Sequence, residues 1–177
     1  MHPMALNGLN ERIVLPRGDL AAWCPYLPFA FLDIDRCDAE HVVSTAKADL
    51  YSFGFFVSSV AYLWITRHAQ KDVHLAATIA AFPMPEHPKV PPLEIVPYAA
   101  KILEARGTRE PEATAELYAS GHLPEDLLKA HFLNDRIIRS AYGLSPDAPD
   151  DECLELMESL SNASPQDLVC GGGGKSL

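Results

Sequence analysis

Apolar and polar residues in the first third of the chain alternate in short runs separated by turn signals. Arg12-Ile13-Val14-Leu15 reads as a strand that stops at Pro16, with Arg17-Gly18-Asp19 as the turn that follows. Tyr26 to Leu32 is a second apolar run, between Pro25 and Asp33, and His41-Val42-Val43-Ser44-Thr45 is a third, rich in β-branched residues. Asp49 then stands where a helix N-cap belongs. Residues 50–66 carry no charge, and a helix is expected to about His68, with Gly54 and Ser58-Ser59 as the points where it breaks or kinks. A membrane span needs about 20 apolar residues. This stretch is shorter and holds Ser52, Ser58 and Ser59, so it reads as a buried helix and no membrane partner is expected. Val73 to Ala81 is short and apolar, and reads as a strand.

Six prolines lie between Pro83 and Pro97, which predicts an extended connector over residues 86–97. Beyond it the apolar period becomes helical. Val96, Ala99, Ala100 and Leu103 repeat at helical spacing and Gly107 supplies the stop. Pro111 opens a short helix that closes near Gly121. Pro124-Glu125-Asp126 makes a favourable first turn for a helix striped by Leu127, Ala130, Leu133, Ile137 and Ala141, running to Gly143. Asp150-Asp151 begin a last helix with Cys153, Leu156, Met157 and Leu160 on one face. Residues 164–177 are polar or glycine and read as a disordered tail. The fold class expected is α+β: short strands and a long apolar helix over residues 1–85, then an all-helical bundle over 98–163.

Composition narrows the chemistry. Four of the ten glycines form the run Gly171 to Gly174, and no two of the other six are close enough to make a phosphate-cradling loop. Rossmann, Walker and kinase nucleotide sites are therefore not expected. The net charge of −10 divides unevenly: residues 1–90 hold 7 Lys+Arg and 9 Asp+Glu, and residues 91–177 hold 7 and 15. Nucleic-acid affinity rests on phosphate neutralisation, so the second half is not its electrostatic footprint. Cys24, Cys37, Cys153 and Cys170 have no metal-ligand spacing and read as free thiols in a reducing cytoplasm. The first residues, Met1-His2-Pro3-Met4, have no signal-peptide pattern, which agrees with a cytoplasmic location.

Candidate reactive groups are few. The seven histidines, among them His68, His74 and His131, show no metal-binding motif and read as surface or satisfied partly buried side chains. Asp33, Asp35 and Asp38 lack the remaining ligands of a calcium loop, and no serine or cysteine sits in a nucleophile motif. One segment stands out. Arg67-His68-Ala69-Gln70-Lys71-Asp72-Val73-His74 follows the apolar helix and concentrates side chains that read base edges: Arg or Lys to guanine, Gln to adenine, Asp to cytosine. The same residues also suit a solvated helix C-terminus, where basic groups are favoured.

Ile13-Val14-Leu15-Pro16-Arg17, Phe29-Ala30-Phe31-Leu32-Asp33 and ADLYSFGFFVSS (Ala48 to Ser59) resemble the late part of a target-recognition domain. The family is the MmeI-like, type IIL restriction–modification enzymes, adenine-N6 DNA methyltransferases fused to a nuclease. Trp64 and Phe82-Pro83-Met84-Pro85 are similar to the end of that domain. AAKILEAR (Ala99 to Arg106) and AELYASGHLPEDLLKAHFLNDRIIRSAYG (Ala115 to Gly143) resemble the helical domain that follows it. The resemblance covers roughly residues 11–162 in the family's order.

The resemblance implies the DNA-recognition portion of a restriction–modification methyltransferase, as a fragment or split subunit. The methyltransferase and nuclease motifs are not in this sequence, so no catalytic residue, metal or cofactor is expected here. S-adenosylmethionine belongs to a methyltransferase domain outside the chain. The implied partners are double-stranded DNA and a separate methyltransferase or nuclease polypeptide. Arg12, Arg17, Arg67 and Lys71 would contact phosphate or bases, with Gln70, Asp72 and His74 reading sequence. Two departures from the family bear on this: the segment from Arg67 to His74 is shorter, and Ala80-Ala81 replaces an Asn-rich lead into Phe-Pro. A protein-interaction module without DNA contact is the competing reading, motivated by the acidic helical half and the apolar 50–66 segment.

Overall fold

The computed structural model describes residues 10–23, 25–69 and 74–162. The fold is α+β, as expected. Three strands, β1 (Glu11–Pro16), β2 (Ala30–Asp33) and β3 (His41–Val43), form an antiparallel sheet with β1 in the centre. Ile13 pairs with Phe31 on one side of β1, and Leu15 with Val42 on the other. Seven helices follow among the described residues: α1 (Leu50–Phe56), α2 (Ser59–His68), α3 (Leu75–Ala80), α4 (Pro92–Arg106), α5 (Pro111–Ala119), α6 (Glu125–Ala141) and α7 (Asp150–Asn162). No helix among the described residues is long and apolar enough to cross a membrane. The segment read as a tail, 164–177, lies outside the described residues.

Local signals account for most of the element boundaries. The Asp49 carboxylate accepts the Ser52 N–H at 2.8 Å and caps α1. Gly107 ends α4 at φ 67° and Gly143 follows α6 at φ 83°, left-handed backbone that glycine takes without a Cβ penalty. The long apolar segment divides after Phe56, where Ser58 caps α2 by accepting the Ala61 N–H at 3.3 Å. Gly54 sits within α1 and does not interrupt it.

Three expectations are corrected. Residues 75–80 are helical rather than extended, because Leu75, Thr78 and Ile79 share the buried face at i, i+3 and i+4. The extended connector ends at Pro91, since Pro92 takes the first position of α4, where a proline lacks no needed donor, and Pro97 is inside that helix. The second apolar run is extended as a strand only from Ala30.

Elements on both sides of the proline-rich stretch contribute to one apolar interior. Phe31 stacks on Phe53 with ring centroids 4.9 Å apart, Phe56 meets Phe82 at 5.3 Å, and Phe55 meets Tyr142 edge-on at 5.6 Å. Trp23 donates its indole N–H to Ala115 O at 3.2 Å, tying the turn after β1 to α5.

The inner face of α6 differs from the stripe read from sequence. Its buried positions include His131, Asn134 and Asp135, while Leu133 and Ile137 are half-buried. These polar groups serve the break between α1 and α2. Asn134 donates to Gly54 O at 2.8 Å, His131 Nδ1 lies 3.1 Å from Val57 O, and Asp135 accepts the Ser59 N–H at 2.8 Å.

Gly54 is a close-approach position of α1 against α4 and α6. A Cβ there would lie 3.2 Å from Ile95 Cγ2 and 3.4 Å from both Ala99 Cβ and Asn134 Oδ1. Gly54→Val is expected to cost about 1–3 kcal/mol through overpacking. Gly54→Ala costs less than the valine, because helix propensity returns about 1 kcal/mol. Urea unfolding of the two variants checks this, and a neutral valine contradicts it.

Candidate nucleic-acid interface

The turn after β1 and the α2–α3 junction face each other across an open groove of about 590 Å³. Gly18, Asp19, Leu20 and Ala21 form one wall; Tyr62, Thr66 and Ala69 of the α2 side and Leu75 of α3 form the other. The Asp19 carboxylate accepts the Ala21 N–H at 3.0 Å, and the Trp23 indole packs so closely on Gly18 that a Cβ there would lie 2.5 Å from its ring. Gly18 is therefore a close-approach position, and a side chain there would displace the tryptophan and one wall of the groove.

The sequence candidates divide by place. Arg17 is exposed at the head of the first wall, with its Nε donating to Ala39 O at 2.6 Å. Arg12 is half-buried near the other end of β1 and donates to Glu11 O at 2.9 Å. Five steps of extended chain separate the two arginines by roughly 16 Å, so they do not form one patch. Arg67 is 65% exposed in the last turn of α2, with its Nε 3.9 Å from Glu158 of α7. His68 stacks on Trp64 at 3.8 Å, and His74 is exposed just before α3 without capping it. Gln70, Lys71 and Asp72 lie outside the described residues.

The strongly perturbed titratable groups are elsewhere, in the interior. Arg106 donates through Nε to Tyr118 Oη at 2.8 Å and through Nη1 to Phe29 O at 2.5 Å. Tyr118 Oη is 2.6 Å from His131 Nε2. Val57 O only accepts, so His131 carries its proton on Nδ1 and Tyr118 donates to Nε2. Burial first, and the Arg106 charge second, push the His131 imidazole well below its usual value and keep it neutral. Tyr26 stacks on His131 at 4.0 Å and donates to Asp135 at 3.0 Å. Burial, then the Asp135 charge, raises the Tyr26 phenol. Burial also raises the Asp135 carboxyl, against the opposing pull of the Ser59 N–H and Arg139. His131 and Asn134 are fully buried, so this network joins helices and presents no reactive group to a substrate. Sequence reading placed His131 at most partly buried. Its sign in the sequence is the i, i+3, i+4 spacing of His131, Asn134 and Asp135 on the side of α6 that carries Leu127 and Ile138.

Among the described residues no cluster of three or more His, Cys, Asp or Glu side chains could hold a metal ion. Cys37 and Cys153 are free thiols, and burial raises both.

The class this defines is a small antiparallel sheet joined, among the described residues, to seven α-helices, with a groove open between the turn after β1 and the α2–α3 junction. Its fold is similar to part of the type IIL restriction–modification enzyme MmeI, solved in complex with DNA, with a TM-score of 0.67 and 22% identity. The match covers 86% of this chain and 21% of that enzyme, so the chain spans about a fifth of its length. The resemblance read from the sequence thus holds at the level of the fold. Neither a protein-family model nor a curated protein matches the chain.

The buried imidazole sets a pH dependence. Unfolded histidine takes up a proton below about pH 6.5, while folded His131 resists it, so the unfolded chain binds more protons and stability falls as pH drops below that value. The slope contributed approaches about 1.4 kcal/mol per pH unit. Asp135 acts in the opposite sense, from about pH 4 upward. Urea unfolding between about pH 5.5 and 7.5 should show a fall in stability toward acid that His131→Gln reduces by close to one proton. An equal slope in the variant contradicts the assignment.

Proposed function

We propose that this chain is the DNA target-recognition portion of a restriction–modification adenine-N6 DNA methyltransferase, acting with a separate catalytic polypeptide. The observation that carries the reading is the likeness in fold, over 86% of the chain, to part of a type IIL restriction–modification enzyme solved in complex with DNA. Arg17 and Arg67 contact phosphate or bases, helped by Lys71 and Arg12. Gln70, Asp72 and His74 read base edges. The chain supplies recognition and no catalysis, while S-adenosylmethionine and the nuclease belong to the partner polypeptide. The division near residue 85 separates the part that meets DNA from a helical part that supports it. The excess of acid beyond residue 90 then lies in the support. The protein works in the cytoplasm.

A protein-interaction module without DNA contact is the second reading, favoured by Leu128 and Phe132, exposed one turn apart on α6. Fluorescence anisotropy with a labelled duplex of about three helical turns, at ~50 mM salt, separates the two. The recognition reading expects binding that weakens steeply with salt, alone or with a co-expressed methyltransferase. Arg17→Ala should weaken it across all sequences and lower the salt slope by about one. No binding under either condition overturns the reading, and a tight homo-oligomer indifferent to DNA supports the interaction module.

A further inference from the structure

His41 opens β3 with a side chain only 5% exposed, and its ring nitrogens face carboxylates of the preceding turn and of α5. Nδ1 lies 2.8 Å from Asp38 Oδ1, and Nε2 lies 3.1 Å from Glu112 Oε1 in the first turn of α5. Each ring nitrogen thus meets a carboxylate oxygen that can accept from it, and Nδ1 also lies 3.4 Å from the Asp38 backbone nitrogen. The same Asp38 oxygen accepts the Glu40 N–H at 2.9 Å. That N–H first, and the imidazole second among the favourable contacts, hold the Asp38 carboxyl below the usual carboxylate range. The turn fixed in this way is what holds Arg17: Ala39 O accepts its Nε–H at 2.6 Å, and Glu40 O accepts its backbone N–H at 2.8 Å. Arg36 and Glu110, 2.6 Å apart, make a second tie between the same loop and the residue before α5.

We propose that His41 is a positioning residue: bridging Asp38 and Glu112, it clamps the 38–40 turn to α5 and thereby holds the Arg17 guanidinium against that turn, just ahead of the groove's first wall. An arginine held at Nε keeps its terminal NH₂ groups for a phosphate and loses less side-chain entropy on binding than an unanchored one. The consequence for DNA rests on the recognition reading. The clamp itself is a property of the chain alone.

Two measurements on the whole chain separate these. NMR of the ¹⁵N-labelled protein follows exchange of the Arg17 Nε–H with water. His41→Gln should speed it by about five-fold or more, the worth of a lost hydrogen bond, and leave the Arg67 Nε–H signal as it was. Glu112→Ala removes one partner from an exposed position and should move Arg17 in the same direction, which keeps the test open should His41→Gln fold poorly. An Arg17 signal unmoved in a folded variant overturns the clamp. In the anisotropy assay, His41→Gln should weaken duplex binding when Arg17 is present and have no effect in an Arg17→Ala background. Additive losses overturn the route through Arg17. A responsive Arg17 signal in a wild-type chain that binds no duplex leaves the clamp standing and removes the DNA reading.

Discussion

The break between α1 and α2 makes three buried backbone groups depend on one face of α6. Where the helix stops at Phe56 and restarts at Ser59, the Gly54 and Val57 carbonyls and the Ser59 N–H lose the partners a continuous helix would give them. Water does not reach them, so a side chain must. Asn134, His131 and Asp135 each supply one bond, at 2.8, 3.1 and 2.8 Å. A buried hydrogen bond is worth about 1 kcal/mol net, but an orphaned polar group costs about 1–3 kcal/mol. The break is therefore tolerable only with α6 docked. The Asp135 carboxylate also sits at the N-terminus of α2, where negative charge suits the helix dipole. Its neighbour Arg139 reaches on to Asp150 at the start of α7, at 3.3 Å.

The groove follows from that arrangement. The break sets the direction of α2, and α2 carries Thr66 and Ala69 to the wall opposite Gly18–Ala21. Docking α6 thus positions a surface to which α6 contributes no lining residue. The segments before and after the proline-rich stretch thus share one interior, and packing does not divide them.

How much the sequence disclosed follows from how local each signal was. The Asp49 cap, the Pro111 and Pro124 helix starts and the glycines after α4 and α6 act within a few residues, and each is readable where it stands. The helix over 75–80 was missed because a short apolar run fits a strand as well as a helix until its neighbours are known. The inner face of α6 was misjudged because polar residues there answer a break some 75 residues earlier in the chain. Arg17 was legible as a basic residue at a turn, but its hold on Ala39, 22 residues on, was not. His41 sat inside an apolar run and gave no sign of the two carboxylates it meets. Gln70, Lys71 and Asp72 were legible only as side-chain types suited to base edges.

Hydrogen–deuterium exchange of the whole chain, with and without a duplex of about three helical turns, tests the central claim most directly. The account predicts added protection over residues 17–21, 62–69 and 74–75, in and beside the two walls of the groove, with α5 and α7 unchanged. Protection confined to α6 around Leu128 and Phe132, or no protection at all, would contradict it.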